Sequence, residues 1–303
     1  MKSLAVLLLL LATSCVTGVS QQELAQEYFN LGNAYFELGD FSRSYQYYRS
    51  ALELTDQFPA AGYNLVRLLI ERNELDRARE YLLQLRRDDP DNLLLIETEA
   101  FIYASEGKTA EAVALYRRVL EQSPGRVRAG YNLGLLKARE ENWELARSVL
   151  EQHRVFADDD LDYRWLYAEA LYRSGDENGA LSELERYFLR VENDASRRLR
   201  LLQRYVKWEF FLPALEVAEN PPESLLRDGE FHFALATAHL RGGSDFVLGR
   251  LSLEEALRRE FTDGKRLREL LQHVAEDEVR VLQQLYQEWE IDLSEEVTDA
   301  TTL

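Results

Sequence analysis

Few residues in this 303-residue chain are spaced for covalent or metal chemistry. Cys15 is the single cysteine, so no intramolecular disulfide and no zinc site built from several cysteines can form. Of the four histidines, His232 and His239 lie on one helix face but two turns apart. A helical metal pair needs a spacing of four, so these two read as structural. Asp158, Asp159, Asp160 and Asp162 form an acidic run that lacks the glycine and terminal glutamate of a calcium loop. Their side chains suit the cap of a helix start instead. G-x-S-x-G, H-E-x-x-H, a phosphate loop and a dinucleotide fingerprint are absent, and Gly107-Lys108 and Gly264-Lys265 lack the upstream glycine of a phosphate loop. The expectation is a non-enzyme with no catalytic residue, metal or cofactor.

Composition narrows the partner class. Hydrophobic residues make up 46% and charged residues 30%, enough apolar material for a core. With 15 glycines, 6 prolines and many Leu, Ala, Glu and Arg, helix is favoured over sheet. The formal net charge is −18. Such a surface repels phosphate backbones and anionic headgroups, so neither nucleic acid nor a polybasic membrane contact is expected.

Elements must position what chemistry remains. Lys2, the apolar run Leu4 to Ala12 and the small residues Ala12, Thr13 and Ser14 lead to Cys15. The layout is that of a secretory signal, too short for a stable membrane span. Its end resembles the lipobox of bacterial lipoproteins, with Ala12 where Leu is usual and Leu11 one residue earlier. The resemblance implies cleavage before Cys15, acylation of that residue (palmitate or a similar chain) and a membrane anchor of two or more chains. The other reading is an ordinary signal-peptidase site after Ala12-Thr13-Ser14 and a soluble periplasmic or secreted protein. Val16 is not the aspartate that retains some lipoproteins in the inner membrane. This points to the outer membrane, with the protein facing the periplasm.

Periodicity is the strongest signal. Segments 25–58, 59–92, 93–126, 127–160 and 161–194 align without gaps. Asn30-Leu31-Gly32, Asn64-Leu65-Val66 and Asn132-Leu133-Gly134 fall in register, as do Ser44, Ala78, Ala112, Ala146 and Ala180. Pro90 and Pro124 coincide, and Gly39, Gly107 and Gly175 recur at the turn. The pattern resembles the tetratricopeptide repeat (TPR), each unit a helical pair. That resemblance implies an all-α fold, a TPR solenoid in which hairpins wind into a right-handed superhelix. A single pair cannot bury both faces, so each needs the next stacked on it.

In TPR proteins the first helix of each pair lines a concave face, at the second, fifth, ninth, twelfth and thirteenth places. The fifth place here reads Phe29, Tyr63, Glu97, Tyr131 and Trp165; the ninth reads Asn33, Arg67, Phe101, Leu135 and Glu169. With Phe36, Arg128, Arg139, Tyr172 and Arg173 nearby, the resemblance implies a trough of aromatics and arginines, the usual binding anchors. The candidate groove is therefore Phe29, Asn33, Phe36, Tyr63, Arg67, Phe101, Arg128, Tyr131, Arg139, Trp165, Tyr172 and Arg173. Its expected occupant is a peptide or helical segment of an envelope protein, apolar with some acidic character. The alternative is a small apolar molecule held for a transporter. Any single aromatic can equally serve repeat-to-repeat contact.

Past residue 194 the register of residue types weakens. Ser196 to Trp208 and Pro213 to Glu219 read as a worn pair, and Pro221-Pro222 breaks the chain. Helices are expected at Glu230 to Leu240, Leu253 to Arg259 and Lys265 to Val274. A capping helix at Glu276 to Trp289 should carry Val279, Leu282, Leu285, Tyr286 and Trp289 on one side. The expected layout is a signal peptide at 1–14, an anchor tether at 15–22 and five TPR units at 23–194. Degenerate repeats with the capping helix at 195–290 and an acidic disordered tail at 291–303 follow.

Overall fold

The computed structural model describes residues 20–55 and 58–291. The signal segment, Cys15, most of the tether and the tail from Asp292 onward lie outside the described residues. Among the described residues there are helices and turns and no strand. The fold is all-α and follows the TPR solenoid plan. It divides into two units, Met1–Ser174 and Gly175–Leu303, and the division falls inside the fifth period.

The first unit contains α1 (Gln21–Glu37), α2 (Phe41–Leu54), α3 (Pro59–Glu71), α4 (Leu75–Asp88), α5 (Leu93–Ser105), α6 (Thr109–Gln122), α7 (Val127–Arg139), α8 (Trp143–His153) and α9 (Leu161–Arg173). The second contains α10 (Glu177–Val191), α11 (Ala195–Lys207), α12 (Phe211–Ala218), α13 (Gly229–Gly242), α14 (Phe246–Arg258), α15 (Gly264–Leu271) and α16 (Glu276–Glu288).

Local chemistry sets the ends. Ser20 and Glu23 close a capping box on α1, which starts inside the expected tether. Asp40, Asn92, Asn142, Asp160, Asp176, Asp194, Asp228, Asp245 and Asp263 each accept a backbone N–H in a first turn. The acidic run is thereby resolved. Asp160 caps α9 through the amides of Asp162 and Tyr163 at 3.1 and 3.0 Å, and Asp158 receives Arg164.

The turn inside each pair is a left-handed residue. Gly39, Asn73, Gly107, Glu141, Gly175, Glu209 and Gly243 all have φ between 57 and 87° and recur at one fixed interval. Residue types fade after 194, but this backbone interval does not: it runs on through Glu209 and Gly243. Side chains vary there because only the left-handed hydrogen-bonded turn is required, and Glu adopts it at a modest cost.

Small residues let paired helices meet. A Cβ at Gly32 would stand 2.5 Å from the Tyr48 ring, and one at Gly134 would stand 2.7 Å from Leu150. Opposite them Ser44, Ala78, Ala112, Ala146, Ala180 and Ala214 are fully buried. One expected boundary is corrected: α14 starts at Phe246, not Leu253. Asp245 caps it through the Leu248 amide at 3.0 Å, and Gly249 takes the close approach to Leu240. On α16, Leu282, Leu285 and Tyr286 are buried as expected, whereas Trp289 is 37% exposed because the helix has already ended at Glu288.

Candidate functional site

Three first helices of the inner pairs, α3, α5 and α7, form one cleft of about 410 Å³ in the first unit. Helical spacing places Tyr63, Arg67, Ile70 and Glu71 on one face of α3. Leu94, Glu97, Thr98 and Phe101 do the same on α5, and Arg128, Tyr131 and Asn132 on α7. α5 is unusual in being buried on every side from Leu95 to Ala100, including Glu97, Thr98 and Glu99, while Phe101 stays exposed. Buried carboxylates need partners. Glu97 takes Arg126 Nη1 at 3.1 Å, and Glu99 takes Arg86. Thr98 satisfies its hydroxyl by donating to the Leu94 carbonyl at 2.7 Å.

Of the expected groove residues, Tyr63, Arg67, Phe101, Arg128 and Tyr131 come together here. The rest do not line the cleft. Phe29 sits against Tyr48 and Phe58, with ring centroids 6.0 and 5.0 Å away. Phe36 meets Phe41 at 5.5 Å and carries the Arg67 guanidinium over its face at 5.2 Å. The Asn33 Oδ1 accepts both the Tyr48 hydroxyl and the Asn64 amide, each at 2.7 Å, which ties α1, α2 and α3 together. Trp165 is 8% exposed and belongs to the interior. Tyr172 is half-buried, and Arg139 ends α7 exposed. Arg173 lies 5.1 Å over the Trp143 ring and 3.8 Å from Glu169.

Ile70, Glu71, Leu94 and Glu97 were passed over in favour of aromatics and arginines. The repeat register could have found them, since they stand at the twelfth, thirteenth, second and fifth places. Thr98 and Asn132 line the cleft from outside those places.

One buried polar atom next to Asn132 makes no hydrogen bond among the described residues. Two periods after the Tyr48–Asn33–Asn64 cluster, the same three places hold Tyr116, Phe101 and Asn132. Phe101 cannot accept a hydrogen bond, and the buried Tyr116 hydroxyl makes none among the described residues. Burial pushes this phenol's pKa well above its ordinary value; Asn132 stands close enough to draw it back without reaching hydrogen-bond geometry.

The tetratricopeptide repeat profile matches residues 35–95 and 103–164, which take in all of α3 and α7 and only the two ends of α5. Those two stretches are tetratricopeptide repeats. Solved structures agree on the fold. A Parabacteroides merdae TPR protein superposes with a TM-score of 0.51 at 14% identity, over 88% of this chain and 99% of that one. The structure titled for functional characterisation of Pseudomonas aeruginosa pilF gives 0.55 at 18% identity, over 65% of this chain and 88% of that one. A curated relative from Treponema pallidum (strain Nichols), described as an uncharacterized lipoprotein, is 31% identical over 105 residues. That match takes in 35% of this chain, and the chain spans about half (54%) of the relative's length. TPR units are in general protein-binding scaffolds, and no comparison points to an enzyme.

Proposed function

We propose that this protein is a non-catalytic scaffold of the bacterial cell envelope that holds a protein segment in the α3–α5–α7 cleft. The observation that carries the reading is the convergence of Tyr63, Phe101 and Tyr131 with Arg67 and Arg128 in that one cleft. Rigid aromatics supply apolar contact at low entropic cost, and arginine donates to carbonyls or carboxylates. The Asn132 carboxamide on the cleft wall can add a hydrogen bond to a peptide group. A peptide segment with apolar side chains and some acidic character supplies all of these. The transporter alternative needs a dry pocket, and four charged residues lining the cleft argue against one.

Envelope anchoring belongs to the same proposal. Cys15 would carry the lipid, with 1–14 removed as the signal and the repeats facing the periplasm from the outer membrane. The support is the sequence around Cys15 and the lipoprotein description of the Treponema relative. Among the described residues no helix is long and apolar enough to cross a membrane.

The test of the cleft is a photo-crosslinker at Phe101 in intact cells, with the adduct identified by mass spectrometry. A single envelope protein should be captured, and Tyr63→Ala with Tyr131→Ala should abolish capture while helical circular dichroism is unchanged. Capture that survives the double substitution rejects the cleft. For the anchor, Cys15→Ala should release the protein to the soluble fraction; retention at the membrane rejects lipidation as the attachment.

A further inference from the structure

Stacked helical pairs bury each other's faces, and among the described residues the first pair has none before it. In the second pair, Leu65 and Leu69 of α3 share one buried cluster with Tyr45, Tyr48 and Leu52 of the preceding α2. The same places on α1 hold Leu31 and Tyr35. Leu31 is 40% exposed, where Leu65 and Leu133, its counterparts in later pairs, are 0 and 3% exposed.

Leu24, Tyr28, Leu31, Tyr35 and Leu38 follow one another at intervals of four and three, which sets them in one stripe along α1 and its C-cap. All three leucines are exposed. Tyr47 of α2 stacks on Tyr35 at 5.3 Å and lies 6.1 Å from Tyr28, so both rings are held in place. The Arg43 guanidinium lies 5.3 Å over Tyr35, and Asp40 meets its charge at 3.5 Å. The stripe itself is uncharged.

The length of the tether selects what covers it. Only Val16 to Val19 stand between Cys15 and the Ser20 cap of α1. At no more than about 3.6 Å per residue, Ser20 stays within about 18 Å of the cysteine. A lipid on Cys15 therefore keeps α1 beside the bilayer. A second copy is the poorer occupant. α1 offers a strip about 25 Å long and one helix wide, well under the roughly 800 Å² per partner of a stable dimer. An anchored domain needs no such area, because the acyl chains already supply the local concentration. Leucine and tyrosine on one helix face suit the boundary between headgroups and acyl chains. The net charge of −18 selects a neutral leaflet.

We propose that α1 lies along the membrane surface, with its Leu–Tyr stripe in the interface of a zwitterionic leaflet. This rests on the lipid anchor of the proposed function and adds where the domain touches the bilayer.

The experiment uses the full lipidated protein on phosphatidylcholine vesicles, with a dye attached at Leu38→Cys or, as the control, at Val155→Cys. Leu38 and Val155 are 78 and 77% exposed, so the two dyes start from equal access to water. A nitroxide-bearing phosphatidylcholine should quench the Leu38→Cys dye at least about threefold more than the control. Leu24→Glu with Leu31→Glu should remove about half of that difference or more, with circular dichroism unchanged. Phosphatidylglycerol vesicles at low salt should weaken it. Protein that does not float with the vesicles overturns the anchor and this contact with it. Protein that floats but shows equal quenching at both sites, or quenching indifferent to the two glutamates, overturns the contact alone. So does stronger quenching on phosphatidylglycerol, or a dimer that Leu31→Glu dissolves, which would assign the stripe to a second copy.

Discussion

At the scale of single residues, equivalent places in different periods have unequal roles, and hydrogen-bond accounting separates them. Tyr48 and Tyr116 hold the same place, and both are buried. Tyr48 donates to Asn33 at 2.7 Å, whereas Tyr116 has no partner among the described residues. Removing a satisfied buried hydroxyl costs about 1 kcal/mol, and removing an unsatisfied one costs close to nothing. Tyr48→Phe should therefore lower the urea midpoint of the ligand-free protein, and Tyr116→Phe should leave it unchanged. Equal losses in the two would show that the Tyr116 hydroxyl is satisfied after all. The same reasoning moves Asn33 from groove to framework. Its register place marked it as ligand-facing, but its carboxamide oxygen is already occupied by two donors. A sequence does not record which neighbour reaches an acceptor first.

At the scale of elements, turns and helix ends show where a repeat can drift. Gly107 has φ of 76° and an added Cβ would meet nothing within 4 Å, so only backbone strain opposes Gly107→Ala. The expected cost is about 1 kcal/mol. Glu141, at the same place one period later with φ of 57°, already bears that strain. Glu141→Gly should be neutral or stabilising, and thermal melts that move both variants downward by equal amounts would count against strain as the cause. Helix ends in the second unit rest on Arg198. It is 2% exposed and donates Nε to the Val217 carbonyl at 2.7 Å and Nη1 to that of Glu192 at 2.9 Å. Nη2 takes the Glu219 carbonyl. Burial pulls its pKa below the ordinary arginine value. Arg164, one period earlier, binds the Asp158 carbonyl at 2.7 Å in the same manner. Arg198→Met leaves several carbonyls unsatisfied and should cost about 2–3 kcal/mol. Arg198→Lys should recover only part of that, because an ammonium cannot reach three carbonyls in a plane. A full rescue by lysine would reduce the role to charge alone.

At the scale of the whole molecule, pH acts through tyrosines. Burial raises the pKa of Tyr48, Tyr116 and Tyr163 in the first unit and of Tyr205 and Tyr286 in the second. In each case the unfolded phenol ionises near pH 10 while the folded one stays protonated. The unfolded state then binds fewer protons, so stability is intact below about pH 10 and falls as pH rises beyond it. Alkaline titration should show phenolate absorbance rising together with loss of helical dichroism. Ionisation complete before any helix is lost would mean these phenols are open to solvent.

Periodicity was enough to indicate the fold class and the helical pairs, because a repeated unit states its own boundaries each time it recurs; of the helix N-caps, only the acidic run before α9 was legible. Register also named five residues, Tyr63, Arg67, Phe101, Arg128 and Tyr131, that line one cleft. What it could not decide was which ladder residues remain open. Phe29, Phe36 and Trp165 obey the same spacing as Tyr63 and Tyr131, yet they are taken up by neighbours or by the interior. The meeting of Lys207, Arg241 and Arg266 along one cleft of the second unit was also beyond reach, since nothing in their spacing announces it until three helices bring them together. Spacing along a chain sets the direction of a side chain from its own helix; what fills the space in front of it is supplied by other segments, and only tertiary contact decides that.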